Sequence, residues 1–325
     1  MNLKELLSLH NQRPQQSVPD WMLGYFKRYS ISFANGVTDL KTHVCWLQSR
    51  NFTIDLRLPI EAEQVQAKPW ADYTAQELQQ LANYEGFAAN SDWDGTMLSW
   101  HDTDTSTSMQ LHNRWTEPAI LKRVGNCMME FCPSDAYVED WRLQPSEPGP
   151  LIGLHLIEER EVANGAIRHR GGGLIVCGDY AGLVLGRGVE EVPYSGTLLK
   201  TVVAETVGNP HLLANLFNFE TSVAQGSLEQ GFSVKLSTQA SRLGEQLFPL
   251  DGFEYPVPCE GGASGDLQII RQQLTIDGKL CERLFSIDTM EPDISFAQET
   301  GFIPEAADWF ERESPTLTRY TEVLL

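Results

Sequence analysis

Short runs in which apolar and polar residues alternate recur along most of the chain, separated by turn residues, and a period of two predicts antiparallel sheets with one face turned inward. The clearest run is Phe52-Thr53-Ile54-Asp55-Leu56-Arg57-Leu58. Phe52, Ile54, Leu56 and Leu58 share one face, Thr53, Asp55 and Arg57 share the other, and Pro59 ends the pairing because it has no amide hydrogen to donate. Further strands are expected at 43–48, 96–100, 120–124, 128–131 and 137–143, with turns at Gly95, Gly125-Asn126 and Pro133-Ser134-Asp135. One helix is expected among them. Thr74-Ala75-Gln76-Glu77 has the form of a capping box, in which Thr74 and Glu77 satisfy each other's orphan amides, Leu78 and Leu81 supply an apolar face, and Gly86 is placed to stop it.

Residues 144–150 hold three prolines and a glycine, a composition that resists both helix and sheet interior. This predicts an N-terminal β-lobe over 1–145, a Pro-rich connection at 146–150 and a C-terminal β-lobe over 151–325. The second lobe should carry strands at 151–159, 173–177 and 180–186, then a helix from about Ser195, whose Leu198, Leu199, Val202, Val203 and Val207 keep helical spacing. Strands are expected again at 217–222, 233–237, 267–276 and 280–287, the last two joined at the hairpin signal Asp277-Gly278. Gly171-Gly172-Gly173 is expected as a turn ahead of a strand, and Gly178-Asp179-Tyr180 as a hairpin turn or bulge. An amphipathic tail from Pro304, with Trp309 and Phe310, is expected to dock on the body.

Composition narrows the function classes. With 42% hydrophobic and 21% charged residues over 325 positions, the chain can bury a core without staples. Its 24 basic against 44 acidic side chains give a net charge of -20, which repels phosphate backbones and anionic membrane surfaces, so neither nucleic acid nor membrane is an expected partner. The first residues do not read as a signal peptide, and the best apolar window, 174–185, is broken by Gly178-Asp179 and Gly182, so a cytoplasmic location is expected. The six cysteines are scattered singly, as expected of reduced thiols on strands such as those of Cys45 and Cys177. No metal and no cofactor are expected; homo-oligomers stay possible.

The segments Val44-Cys45-Trp46-Leu47-Gln48, Ile54-Asp55-Leu56-Arg57-Leu58-Pro59, Gly86-Phe87-Ala88, Leu98-Ser99-Trp100-His101 and Val138-Glu139-Asp140-Trp141-Arg142 resemble a family of uncharacterised bacterial proteins, and Gly178-Asp179-Tyr180 and Phe219-Glu220-Thr221-Ser222 extend the likeness. More distantly, the strand-helix-strand lobes look like the two calycin-like barrels of the fungal HRI1 family. The resemblance implies a mainly β fold of two antiparallel calycin-like (lipocalin-like) β-barrel lobes with a few covering helices. It implies no reaction.

Candidate chemistry centres on the polar face of the 52–58 strand. If Asp55 and Arg57 point into a barrel, they join Gln48, His101 and Arg114 among Trp46, Trp100, Trp115 and Trp141 to make an apolar pocket with a few directional groups, suited to a small, largely apolar molecule. The bland alternative is a solvated or structural Asp55–Arg57 ion pair beside core tryptophans. An enzyme could use the same cavity, with His101 as general acid or base and Arg57 stabilising a developing anion in a cofactor-free isomerisation, cyclisation or hydrolysis. An interaction scaffold would use the outer acidic faces, such as the stretch from Pro69 to Asn113, which lacks Lys and Arg. His101-Asp102-x-Asp104-x-Ser106 superficially suits a phosphatase nucleophile or a calcium loop, but it lacks the parallel sheet of the first and the Gly and Glu of the second, and is expected to be a polar turn.

Overall fold

The computed structural model describes residues 1–101, 107–188, 196–258 and 268–321. Residues 102–106, expected as a polar turn, and Cys259 lie outside the described residues. Nine strands form the first sheet: β1 (Gly24–Phe33), β2 (Thr38–Asp39), β3 (His43–Gln48), β4 (Phe52–Leu58), β5 (Glu85–Trp93), β6 (Met97–His101), β7 (Ala119–Val124), β8 (Cys127–Phe131) and β9 (Tyr137–Leu143). Each of β3 to β9 pairs antiparallel with the next, β3 pairs with β1, and β9 returns to β1, so eight strands close into an up-and-down barrel with β2 as a flap on β1. Closure removes the sheet edges and leaves an interior just wide enough for side chains or one small ligand.

The orientation of β4 decides what that interior is. Its apolar face points outward: Phe52 lies 4.4 Å from the His155 ring of the second sheet, and Ile54 packs toward Gly182 there. Thr53, Asp55 and Arg57 therefore point into the barrel. Both faces are buried because one is covered by the rest of the barrel and the other by the second sheet.

The second sheet has strands β10 (Gly149–Glu161), β11 (Ile167–Cys177), β12 (Tyr180–Arg187), β13 (Glu220–Ser227), β14 (Gly231–Ser237), β15 (Phe253–Pro258), β16 (Gln268–Ile276) and β17 (Lys279–Ile294). It is antiparallel, in the order β14-β13-β12-β11-β10-β17-β16-β15. Among the described residues β14 and β15 do not pair, so this sheet stays open where the first one closes. The Asp277-Gly278 turn joins β16 to β17 with both residues at positive φ, 52° and 76°, as a type I′ hairpin demands.

The helices fill gaps between and beside the sheets. The capping box at Thr74 and Glu77 opens helix α2 (Ala75–Leu81), with Leu78 and Leu81 buried. Leu199, Val202 and Val203 of α3 (Leu199–Thr206) join the same core, and a second short helix, α4 (Pro210–Leu216), follows. An N-terminal helix, α1 (Leu3–Leu9), escapes the sequence pattern; its Leu3, Leu6 and Leu7 pack among the inner residues of the second sheet. The sheets change over between Leu143 and Gly149.

Other expectations fail besides closure of the second barrel: helix α2 ends at Leu81, and Gly86 lies within β5 and does not stop it. The tail forms helix α5 (Pro304–Thr321), but Trp309 and Phe310 stay exposed, and Phe310 stacks on Phe302 at 5.1 Å instead of docking on the body. Gly171-Gly172-Gly173 is no turn but part of β11, where the register shifts and Gly171 and Gly172 take positive φ as a bulge. Gly173 sits at a close approach of the two sheets; a Cβ there would meet the Leu154 carbonyl and lie 2.7 Å from Phe52 Cζ. Gly173→Ala should cost about 1–3 kcal/mol, because a backbone oxygen cannot yield as a side chain can. Chemical denaturation checks this.

Two buried arginines fasten the sheets. Arg50, between β3 and β4, is fully buried and grips Glu291 of β17 through two bonds, 2.7 and 2.9 Å, while its third nitrogen meets Asp20. Its neighbour Ser49 donates to Asp288, which also accepts from the Asn51 amide. Arg187 of β12 donates to the Leu216, Ser108 and Met109 carbonyls, and burial pushes its guanidinium down to about 10.

Candidate functional site

The site is a cavity inside the closed barrel. Trp46 on β3, Asp55 and Arg57 on β4, Glu85 on β5, Trp100 on β6, Glu130 on β8, and Tyr137 and Trp141 on β9 line it, and the segment from Ser108 to Trp115 completes the wall. That segment is held by backbone bonds from Met109 to Gly86 and from Ala88 to Thr107, and by Arg187 on its Ser108 and Met109 carbonyls. The enclosed volume is about 60 Å³, enough for a few water-sized groups. A wider cleft of about 520 Å³ lies outside and shares Arg57, Glu85, Arg114 and Trp115 with the inner cavity.

Charges converge here. Arg57 donates through Nε and Nη2 to the two oxygens of Asp55, at 3.0 and 3.3 Å, and its guanidinium lies 4.1 Å from the Trp115 ring centre. Glu85 accepts from Trp115 Nε1 at 3.0 Å, pairs with Arg114, and lies 3.7 Å from Arg57. Arg28 bridges Glu139 and Asp39 at 2.7 and 2.8 Å. Burial raises the Asp55 carboxyl above its ordinary range even though Arg57 pulls it down; burial also works against the Arg57 charge, but Asp55, Glu139 and Glu85 outweigh it and raise the guanidinium above its ordinary value.

Glu130 differs from these paired acids. Its carboxyl accepts from Trp141 Nε1 at 2.8 Å, and burial, reinforced by the nearby Glu139 carboxylate, pushes it up to about 8. It therefore holds a proton at neutral pH. Between its ordinary 4.5 and about 8 the folded state keeps a proton that the unfolded chain releases, so stability falls as pH rises across that window and levels off above it. Glu130→Gln should flatten that part of the profile; thermal unfolding of parent and variant from pH 5 to 9 measures it.

The tryptophans form a box: Trp46 meets Trp100 at 6.4 Å and Trp141 at 5.5 Å, both edge to face. Against this packed wall, three polar atoms are buried without a partner among the described residues: Arg57 Nη1, Gln110 Oε1 and His112 Nδ1. All three belong to cavity-lining residues. The Gln110 amide nitrogen donates to the Ala82 and Tyr84 carbonyls at 3.0 and 2.7 Å, which fixes which end of the amide bears the unpartnered oxygen.

Of the expected site residues, Trp46, Asp55, Arg57, Trp100, Arg114, Trp115 and Trp141 line this cavity. Gln48 does not. Its amide is fully occupied, accepting from Trp46 Nε1 and Ser91 and donating to the Ser49 and Phe52 carbonyls, so it fixes the Trp46 ring from outside the cavity. His101 is exposed at the end of β6 and does not line the cavity either. Neighbouring residues of a strand point to opposite faces, so Trp100 facing in places His101 facing out. Glu85, Gln110, His112, Glu130 and Tyr137 were not anticipated. For Glu130 a signal exists: it shares a strand face with buried Met128, and a lone acid on such a face calls for an explanation. Compared with known proteins, the chain matches no family model, no curated protein and no solved structure.

Proposed function

We propose that the protein binds a small molecule at the first barrel, its polar head held by Arg57 and Gln110 inside the cavity and its largely apolar body against Trp115 in the outer cleft. The observation that carries this is the gathering of three unpartnered buried polar atoms on one cavity. Leaving such groups unmade costs about 1–3 kcal/mol each, and a ligand that satisfies them recovers it. Arg57 Nη1 needs an acceptor and Gln110 Oε1 needs a donor, a combination that a carboxamide supplies. The inner cavity accepts only such a head; the body extends past Trp115 into the outer cleft. The same reading takes both lobes as calycin-like, in a cytoplasmic protein with a small-molecule partner and neither nucleic acid nor membrane. The enzyme alternative loses its expected acid-base group, because His101 stands outside the cavity.

Native mass spectrometry of protein from its source cell should find a co-purified small molecule. Arg57→Lys, which keeps a cation beside Asp55 but loses the guanidinium fork, should release it. A parent protein that carries nothing, and whose tryptophan emission is indifferent to added benzamide, would overturn the proposal.

A further inference from the structure

The second sheet carries an open cavity of its own. About 740 Å³ in volume, within the range of small-molecule sites, it draws its walls from β10, β11, β12, β16 and β17 and from the segment that follows β14. Leu247, Phe248 and Leu274 give it an apolar side, and each is buried. On the polar side, cations and anions are paired: Glu159 holds Arg283 at 2.7 Å and Arg168 at 3.1 Å, Asp277 holds Arg168 at 3.3 Å, Glu220 holds Arg242 at 2.9 Å, and Glu229 is paired with Lys4. A charged guest would meet no unmatched charge there.

His169 is the exception on that side. Its Nδ1 lies 2.9 Å from the Gly186 carbonyl, and a carbonyl only accepts, so Nδ1 carries the hydrogen. Nε2 is left as an acceptor, and it receives no hydrogen bond among the described residues. Burial lowers the imidazole below its ordinary value, which keeps it neutral and keeps that lone pair available. We propose that this cavity is a second binding site, for a neutral amphipathic molecule whose hydroxyl donates to His169 Nε2 while its apolar body lies against Phe248 and Leu247. It is independent of the first barrel, none of whose cavity residues line it.

Two probes that differ only in the donor test this: 2-naphthol and 2-methoxynaphthalene, titrated calorimetrically into the full chain at pH 7. The naphthol should bind about 10-fold more tightly than the ether, the ratio that one hydrogen bond supports. His169→Phe should abolish that preference, and His169→Gln, whose amide can donate to Gly186 and still offer an oxygen, should restore it. Leu247→Trp, which fills the cavity from the apolar side, should exclude both probes if His169→Phe fails to fold. Equal affinity for the two probes, binding undiminished in His169→Phe or Leu247→Trp, or no binding of 2-naphthol at all would each overturn the proposal.

Discussion

Arg50→Met should lower the stability of the protein by about 3–5 kcal/mol, since removing one partner of a buried ion pair leaves the other charge stranded. The Arg50 side chain is 0% exposed, and the Glu291 carboxylate that it grips is itself nearly buried. Methionine matches the length of the lost stem, so the loss falls on the electrostatics and not on a void. Thermal unfolding should show a drop on the order of 10 °C. Arg50→Met combined with Glu291→Met should recover most of it, because an apolar pair of similar volume leaves no charge behind. A double variant no better than the single one would mean that the loss is one of packing.

The second large effect falls inside the barrel. Arg57→Leu should also destabilise by about 3–5 kcal/mol, because Asp55 loses its bidentate partner while remaining buried. Asp55→Leu together with Arg57→Leu should restore most of the stability but not any ligand binding, because Nη1 is gone in both. Urea unfolding with tryptophan emission as the signal separates the two roles. The sequence offered either a structural pair or a ligand contact at this position. The structure makes the pair, with Nε and Nη2 on Asp55, and leaves Nη1, buried and without a partner among the described residues, for the proposed ligand contact.

The strand pattern was legible wherever one face met solvent or turns flanked the run, as at β4, β9 and the β16–β17 hairpin. It fails where apolar residues run together without alternating. β1 begins Gly24-Tyr25-Phe26, buried at all three positions, and shows alternation only further on, yet it is the strand that closes the barrel. Period two also leaves the sign open. The 52–58 run showed a polar face and an apolar one, but only the presence of a second sheet against Phe52 and Ile54 sends the polar face inward. The tryptophans were visible because they are large and rare. Gln110 and His112 were not, because they lie on a connecting segment whose path is set by carbonyls of α2's C-terminal turn and by Arg187 from the other sheet. Tertiary partners far along the chain leave no local trace.

Helix α1 has one more consequence, concerning the order in which the chain is made. Leu3, Leu6 and Leu7 belong to the core of the second sheet, and Met1 reaches across 252 positions to bond the Phe253 carbonyl. During synthesis that helix leaves the ribosome before any strand of its sheet exists. The first barrel has all of its strands by Leu143 and can close while α1 still has nowhere to pack. Three leucines are therefore held over through most of translation, exposed to water and to chaperones, until β17 arrives.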